Sequence, residues 1–254
     1  MAESTALKLL RDFSPTVSVG IVTANLLSLG SELSLLERAG VKVVHVDVMD
    51  GCFCPMMTVG PPFIKALKTT MLKDVHLMIQ DPLEKVAEYV AAGADIITIH
   101  HEAGAHVHQA LYQMRRMINV NDPARAIVRG IALNPGTSVE VLEPLLDEVD
   151  LISILGVNPG WRSQEFIPST FRKVARLRQM LAEVGRQILV VVDGGITLKN
   201  IAEIIRTTGA DMIVTGSVVF DGKAAEENAK LVLQAVQSNA AQKVGQPAEI
   251  ARPF

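Results

Sequence analysis

The sequence predicts a closed barrel of eight parallel strands that alternate with helices, the (β/α)8 or TIM barrel. The chain has 254 residues, close to the ~250 that such a barrel typically needs. Short apolar runs alternate with segments of helical period along the chain, without a linker or a change of composition. It is 49% hydrophobic but only 4% aromatic, so aliphatic side chains must build the core, as in parallel sheets covered on both faces.

Each strand is predicted from a short run rich in Val, Ile or Leu. The predicted strands are residues 16–22, 41–48, 74–78, 96–100, 128–133, 151–155, 188–192 and 212–215. We expect one domain over residues 1–254, with its core at about 16–240 and a flexible C-terminal tail.

Longer segments with apolar residues at helical spacing lie between these runs. They predict helices at residues 31–39, 63–69, 82–91, 107–118, 139–146, 170–183, 198–207 and 224–238. The third of these begins where Asp81 and Pro82 have the residue types of an N-cap and a first helical position. Gly93 follows its predicted end.

Charge and composition limit the partners. The net charge is −3 with no basic stripe, so nucleic acid is not an expected partner. Cys52 and Cys54 are too few and too close for a disulfide framework, which indicates a reducing compartment. The N-terminus lacks the pattern of a signal peptide, and no apolar run reaches the ~18 residues of a membrane span. We therefore expect a cytoplasmic protein without a membrane segment. We also expect a homo-oligomer, because barrels of this kind often pair through exposed helix faces.

Polar side chains stand at the C-terminal ends of several predicted strands. His45 and Asp47 are two residues apart and leave the same face of their strand, while His76 and Asp193 occupy corresponding places on strands three and seven. Two imidazoles and two carboxylates suit Zn²⁺, Mn²⁺, Fe²⁺ or Co²⁺. A single histidine could equally be a satisfied core residue, but four such groups at strand ends favour a metal site.

Glycine pairs follow the last two strands. Gly194 and Gly195 follow strand seven, and Gly216 precedes Ser217 after strand eight. Loops after strands seven and eight are the usual phosphate position in these barrels, because glycine lets backbone N–H groups approach an anion. Ordinary strand–helix turns would have the same residues, but two pairs at these two positions favour phosphate.

The loop after strand six has a turn ending at Gly160, followed by Trp161 and Arg162. Arg162 could clamp a phosphate or carboxylate, or be a solvated loop arginine. No lysine ends a strand, since Lys173 and Lys199 lie in or near predicted helices. A Schiff-base aldolase would need a lysine at a strand end, so that class is disfavoured.

Four motifs, in this order and spacing, resemble the ribulose-phosphate 3-epimerase family from about residue 17 to residue 220. They are the stretches at residues 45–51 (HVDVMDG), 74–78 (DVHLM), 132–137 (ALNPGT) and 192–196 (VDGGI). The resemblance implies a (β/α)8 barrel of the ribulose-phosphate-binding type with one divalent metal ion.

The resemblance also implies roles for individual residues. The implied metal ligands are His45, Asp47, His76 and Asp193, and the two aspartates are also the implied acid/base pair. Met49 and Met78 would line the pocket. The implied phosphate contacts are Gly194, Gly195, Gly216 and Ser217. To these we add Gly160 and Arg162, from the loop after strand six, as candidate substrate contacts.

The chain departs from the family pattern around the sugar. The family's Pro-Ser-Ile-Leu stretch reads Val-Gly-Ile-Val at residues 19–22, so Gly20 replaces a serine that contacts the sugar. Trp161 and Arg162 stand within the segment that the family fills with Phe-Gly-Gly, and Cys52 and Met56 replace a histidine and an asparagine. The catalytic core is kept while the residues that read the substrate differ.

These observations predict an isomerase that inverts C3 of a ketose phosphate through an enediolate, with Asp47 and Asp193 serving the two faces of the sugar and a metal stabilising the negative oxygen. Ribulose 5-phosphate and xylulose 5-phosphate of the pentose phosphate route are the default substrates. The alternatives are an epimerase of a hexulose or tetrulose phosphate, a phosphate-binding barrel lyase or decarboxylase, and a non-catalytic metabolite-binding protein.

Overall fold

The computed structural model describes residues 5–161, 163–222 and 224–241, and Arg162 and the predicted tail beyond residue 241 lie outside these ranges. Within them eight parallel strands close into a barrel, each paired with the next and the last with the first, which confirms the predicted fold class. The strands are β1 Thr16–Gly20, β2 Val43–Met49, β3 Leu72–Met78, β4 Ile96–His100, β5 Val128–Leu133, β6 Leu151–Leu155, β7 Leu189–Asp193 and β8 Met212–Thr215.

The strand predictions hold to within two residues at either end. The largest differences are two residues each. β1 stops at Gly20 because Ile21–Thr23 turns into a 3-10 helix, β2 begins two residues late at Val43, and β3 begins two residues early at Leu72. The pairing of β2 with β3 runs without interruption and places Asp47 beside His76. This register brings two of the predicted site residues together.

The outer layer consists of helices that follow the strands. They are α1 Thr5–Phe13, α2 Leu29–Ala39, α3 Pro61–Ala66, α4 Val86–Ala91, α5 Val107–Met114, α6 Ser169–Val184, α7 Ile201–Thr208 and α8 Ala225–Ala241. Among the described residues, no helix combines the length and apolar character that a membrane span requires.

The helix predicted for residues 107–118 ends early, at Met114, and two other helix predictions are wrong in the type of element or cap. The segment after β5 is a 3-10 helix, Val139–Leu145, because Pro144 inside it has no N–H for a regular α-helical bond. Asp81 does not cap a helix with its side chain. Its backbone N–H donates to the carbonyl of Ala103 at 2.8 Å and its φ is 47°, so the chain enters a short 3-10 turn before α4 begins.

Side chains of each strand alternate between two apolar layers. On β2, Val44 and Val46 point outward into the large cluster between strands and helices, whereas Val43 points inward. His45 follows Val43 on the inner face, so the barrel interior changes from apolar to polar as β2 proceeds. The site therefore lies above an apolar floor, at the C-terminal end of the strands.

Helix α1 covers the other end of the barrel and was not predicted from the sequence. Its buried residues Ala6, Leu7 and Leu10 pack on the inward side chains at the beginnings of the strands. Those side chains are Val43, Leu72, Ile96, Val128, Leu151, Leu189 and Met212. Burying each large apolar side chain contributes about 1.5–3 kcal/mol, so this contact closes the N-terminal end of the barrel with a stable apolar plug.

Candidate metal centre and substrate pocket

Four predicted ligands meet at the C-terminal end of the barrel. His45 and Asp47 come from β2, His76 from β3 and Asp193 from β7, and one potential ligand atom of each lies within 4.8 Å of the others. The strand-end positions noted in the sequence therefore converge on one point. The two aspartates reach it from strands three steps apart around the ring.

One nitrogen of each imidazole faces both carboxylates. Nε2 of His45 is 3.1 Å from Oδ1 of Asp47 and 3.8 Å from Oδ2 of Asp193. Nδ1 of His76 is 3.5 Å and 3.2 Å from the same two oxygen atoms. Two ligand atoms about 2.1 Å from one tetrahedral ion are themselves about 3.4 Å apart, so these spacings suit a common cation.

A buried atom without a hydrogen-bond partner supports the same conclusion. Nδ1 of His76 is buried and, despite the nearby carboxylates, makes no hydrogen bond. A buried polar atom of this kind costs about 1–3 kcal/mol when it is left unsatisfied. A bound cation would satisfy this nitrogen. Two nitrogen and two oxygen ligands of this kind fit Zn²⁺, Mn²⁺, Fe²⁺ or Co²⁺.

The electrostatics of the cluster favour a positive charge. Burial alone would lower the pKa of His76, but Asp193 and Asp47 outweigh burial and raise it to about 9. Burial alone would raise the pKa of Asp47, but His45 and His76 hold it well below its usual range. Two carboxylates in a buried space thus favour positive charge at the imidazoles, and a divalent cation would meet the same demand.

The second nitrogen of His45 contacts a carboxylate on the side away from the cluster. Its Nδ1 lies 2.7 Å from Oδ2 of Asp74, and the same oxygen accepts a hydrogen bond from Oγ of Ser18 at 2.9 Å. A carboxylate that accepts from Nδ1–H leaves the lone pair of His45 on Nε2, toward the cluster. Sequence reasoning missed Asp74, although its position two residues before His76 placed both on one face of β3.

A cavity of about 1260 Å³ opens above the cluster. The predicted residues on its wall are Asp47, Asp193, Met49, Met78, Gly160, Gly194, Gly195, Gly216 and Ser217. Arg162 lies outside the described residues, so its predicted contact stays a prediction. The lining also includes Lys199, just before α7, which was considered in the sequence only as an aldolase lysine.

The two glycine loops lie close against neighbouring backbone. Gly195 has a φ of 72°, and a Cβ atom added there would lie 2.8 Å from Cα of Phe166. A Cβ atom on Gly216 would lie 2.3 Å from the carbonyl oxygen of Gly20. Only glycine fits at these positions, because any Cβ atom would clash with the neighbouring backbone. Both loops line the cavity.

Replacing Gly216 by Ala should move the loop after β8 away from β1. We expect the free energy of unfolding to fall by about 1–3 kcal/mol, because the contact with the Gly20 backbone cannot be relieved by a rotamer change. The KM for a phosphorylated sugar should rise with it. Chemical denaturation and steady-state kinetics would check both effects. Gly136→Ala is the matched control, since a Cβ atom there meets nothing within 4 Å, and an equal loss in that variant would contradict the explanation.

Three departures from the family pattern, Gly20, Met56 and Trp161, line this cavity. A Cβ atom on Gly20 would make only ordinary contacts of 3.6 Å with Gly216. Cys54 is buried against Gly160, whereas Cys52 and Trp161 are exposed. A small side chain could therefore be accommodated at Gly20 without a clash.

Comparisons with known proteins agree with this geometry. A sequence model described as "Ribulose-phosphate 3 epimerase family" matches residues 16–220. The chain is 42% identical over 211 residues to the chloroplastic ribulose-5-phosphate-3-epimerase of Arabidopsis thaliana, covering 82% of this chain and 72% of that protein. It is 36% identical over 207 residues to the ribulose-phosphate 3-epimerase of Bacillus subtilis, covering 80% of this chain and 91% of that one.

Solved structures show the same barrel at low sequence identity. The crystal structure of KGPDC from Streptococcus mutans superimposes with a TM-score of 0.63 at 15% identity, covering 89% of this chain and 98% of that chain. Identity at this level supports the shared fold alone.

Proposed function

Because the chain belongs to the ribulose-phosphate 3-epimerase family, we propose that it interconverts ribulose 5-phosphate and xylulose 5-phosphate by inverting C3. The observation that carries this proposal is the pair of carboxylates, Asp47 and Asp193, that approach one point of the cavity from different sides of the barrel. Inversion next to a ketone needs a proton removed from one face and another delivered to the opposite face.

The two aspartates divide this task. One carboxylate accepts the C3 proton, and the acid form of the other donates a proton to the opposite face, so each direction of the reaction uses the same pair in reverse order. His45 and His76, together with the aspartates, would hold the divalent cation. When bound, that cation supplies Lewis-acid stabilisation of the negative charge that develops on the substrate oxygens.

The rest of the cavity orients the sugar phosphate. The backbone at Gly194, Gly195, Gly216 and Ser217 lines the cavity and would offer its N–H groups to the phosphate. Met49 and Met78 supply an apolar, adaptable wall beside the aspartates, which helps to exclude water from the carbanion-like carbon. The phosphate thus anchors the substrate at one side of the mouth while C3 lies near the carboxylates.

A proton-exchange measurement tests this function. With ribulose 5-phosphate in D₂O, NMR should show deuterium entering C3 together with the appearance of xylulose 5-phosphate. A parallel panel of hexulose and tetrulose phosphates would define the sugar. A product with fewer carbon atoms would instead show a lyase or decarboxylase, and tight binding without exchange would show a metabolite-binding protein.

Lys199 should assist phosphate binding. It lines the cavity two residues beyond Thr197, whose backbone N–H donates to Asn200 at 2.7 Å, and Asn200 in turn donates to the carbonyl of Gly195 at 2.9 Å. Because the lysine is exposed, Lys199→Met should raise KM only about 2- to 5-fold and leave kcat nearly unchanged. Steady-state kinetics at low ionic strength would measure this. A fall in kcat with constant KM would contradict the assignment, and Lys65→Met, on the outer helix α3, is the control.

A further inference from the structure

A second line of hydrogen-bonded side chains ends on His76, behind the metal centre. His100 at the end of β4 lies edge to edge with His76, with ring centroids 4.9 Å apart and planes 11° apart, and the two Nε2 atoms are 2.9 Å apart. On its far side, Nδ1 of His100 is 3.2 Å from Oε2 of Glu102. Neither residue belongs to the ligand set, and neither takes part in the proton transfers proposed above.

Glu102 is firmly held as a carboxylate. Its Oε1 accepts hydrogen bonds from the backbone N–H of Asn134, at 2.8 Å, and from the hydroxyl of Thr137. Burial alone would raise the pKa of Glu102, but hydrogen bonds from His100, Thr137 and Asn134 lower it to about 2. One oxygen atom is thus fixed by the loop after β5, and the other is directed at His100.

The direction of each hydrogen bond follows from that carboxylate. An ionised carboxylate only accepts, so Nδ1 of His100 carries the hydrogen and donates to Glu102. In a neutral imidazole the other nitrogen, Nε2 of His100, is then an acceptor, and Nε2 of His76 must donate to it. In the neutral form that binds a metal, the lone pair of His76 therefore lies on Nδ1, the nitrogen that faces the two aspartates.

We propose that Glu102, acting through His100, is a positioning residue that holds His76 in the tautomer and ring orientation required of a metal ligand. This inference rests on the metal centre of the proposed function. It gives His76 what Asp74 gives His45, namely a carboxylate that fixes which nitrogen carries the hydrogen. Partners of this kind typically change metal affinity 10- to 100-fold when they are replaced.

Zinc affinity of the metal-free protein tests the proposal without relying on activity. In competition with a chromophoric chelator, Glu102→Gln should bind Zn²⁺ about 10- to 100-fold more weakly than wild type, because the amide can donate to His100 and reverse the chain of hydrogen bonds. His100→Phe keeps an aromatic ring at this position but removes both hydrogen bonds, so it should lose affinity to a similar degree.

Glu148→Gln is the matched control. Glu148 is a buried carboxylate that accepts from Arg129 at 3.0 Å just before β6, at the other end of the barrel. Its replacement should lower stability and leave zinc affinity unchanged. A loss of affinity in Glu148→Gln equal to that in Glu102→Gln would overturn the proposal, because the effect would then follow general stability.

A spectroscopic measurement addresses His76 directly. In the zinc-loaded wild-type protein, ¹⁵N NMR should detect a protected hydrogen on Nε2 of His76, and this signal should shift or exchange faster in Glu102→Gln. If folded Glu102→Gln and His100→Phe bound zinc as tightly as wild type, the positioning role of Glu102 would be overturned, and the metal centre would stand. Failure of the wild-type protein to bind zinc would instead overturn the metal centre, and this inference with it.

Discussion

Replacing either Asp47 or Asp193 by Asn should slow epimerisation by roughly 10²- to 10⁴-fold. Each replacement removes the proton acceptor and donor for one face of C3 while keeping the size of the side chain and an oxygen ligand. KM should change much less than kcat, since neither replacement alters the glycine backbone to which phosphate binding is assigned.

Solvent exchange distinguishes this mechanism from a general loss of activity. Each variant should still exchange the C3 proton of one epimer in D₂O, and the two variants should act on opposite epimers. NMR of both substrates with zinc-loaded protein would measure this. If both variants exchanged both epimers at the wild-type rate, the assignment of the two aspartates would be wrong. Glu203→Gln is the control, because Glu203 lines the same cavity but lies outside the cluster.

Removing the divalent metal should abolish measurable turnover. Without a cation, the imidazoles of His45 and His76 carry raised pKa values and the nearby carboxylates are paired with them. After treatment with a chelator and gel filtration, we expect activity to return with about one equivalent of Zn²⁺, Mn²⁺, Fe²⁺ or Co²⁺ per chain. Ca²⁺, which prefers six to eight oxygen ligands, should restore little.

Adding metal back to the metal-free protein should also raise its thermal stability. A metal held at 1,000 times its Kd adds about 4 kcal/mol to the free energy of unfolding, which would raise Tm by several degrees. The control receives chelator already saturated with zinc. Full activity in protein that elemental analysis shows to be free of metal would contradict the role given to the cluster.

The parts of this molecule that sequence reasoning predicted correctly are those governed by simple periodicity. Runs such as Val43–Met49 must be strands because they alternate with helical segments, and parallel strands place their carboxyl ends together. Two residues on one face, such as His45 and Asp47, therefore point to the same site. The convergence of His76 and Asp193 with them follows from the closed ring.

The parts that were missed depend on contacts between distant segments. Helix α1 is amphipathic, but only the closed barrel supplies the apolar end that it covers. Asp81 has the residue type of an N-cap, yet its hydrogen bond to Ala103 sets a different backbone conformation. Glu102 reaches His76 through another side chain, and no spacing in the sequence encodes such a relay.

The helix beneath the strands makes the barrel a cup with one opening. Leu7 and Leu10 form part of its base, so substitutions there should be felt as lost stability without a change in the sugars that are accepted. The rim, where Gly20 can accept a Cβ atom without a clash and Trp161 is exposed, is the place to vary when new substrates are sought. A mutant library for directed evolution should therefore diversify the rim and leave the base untouched.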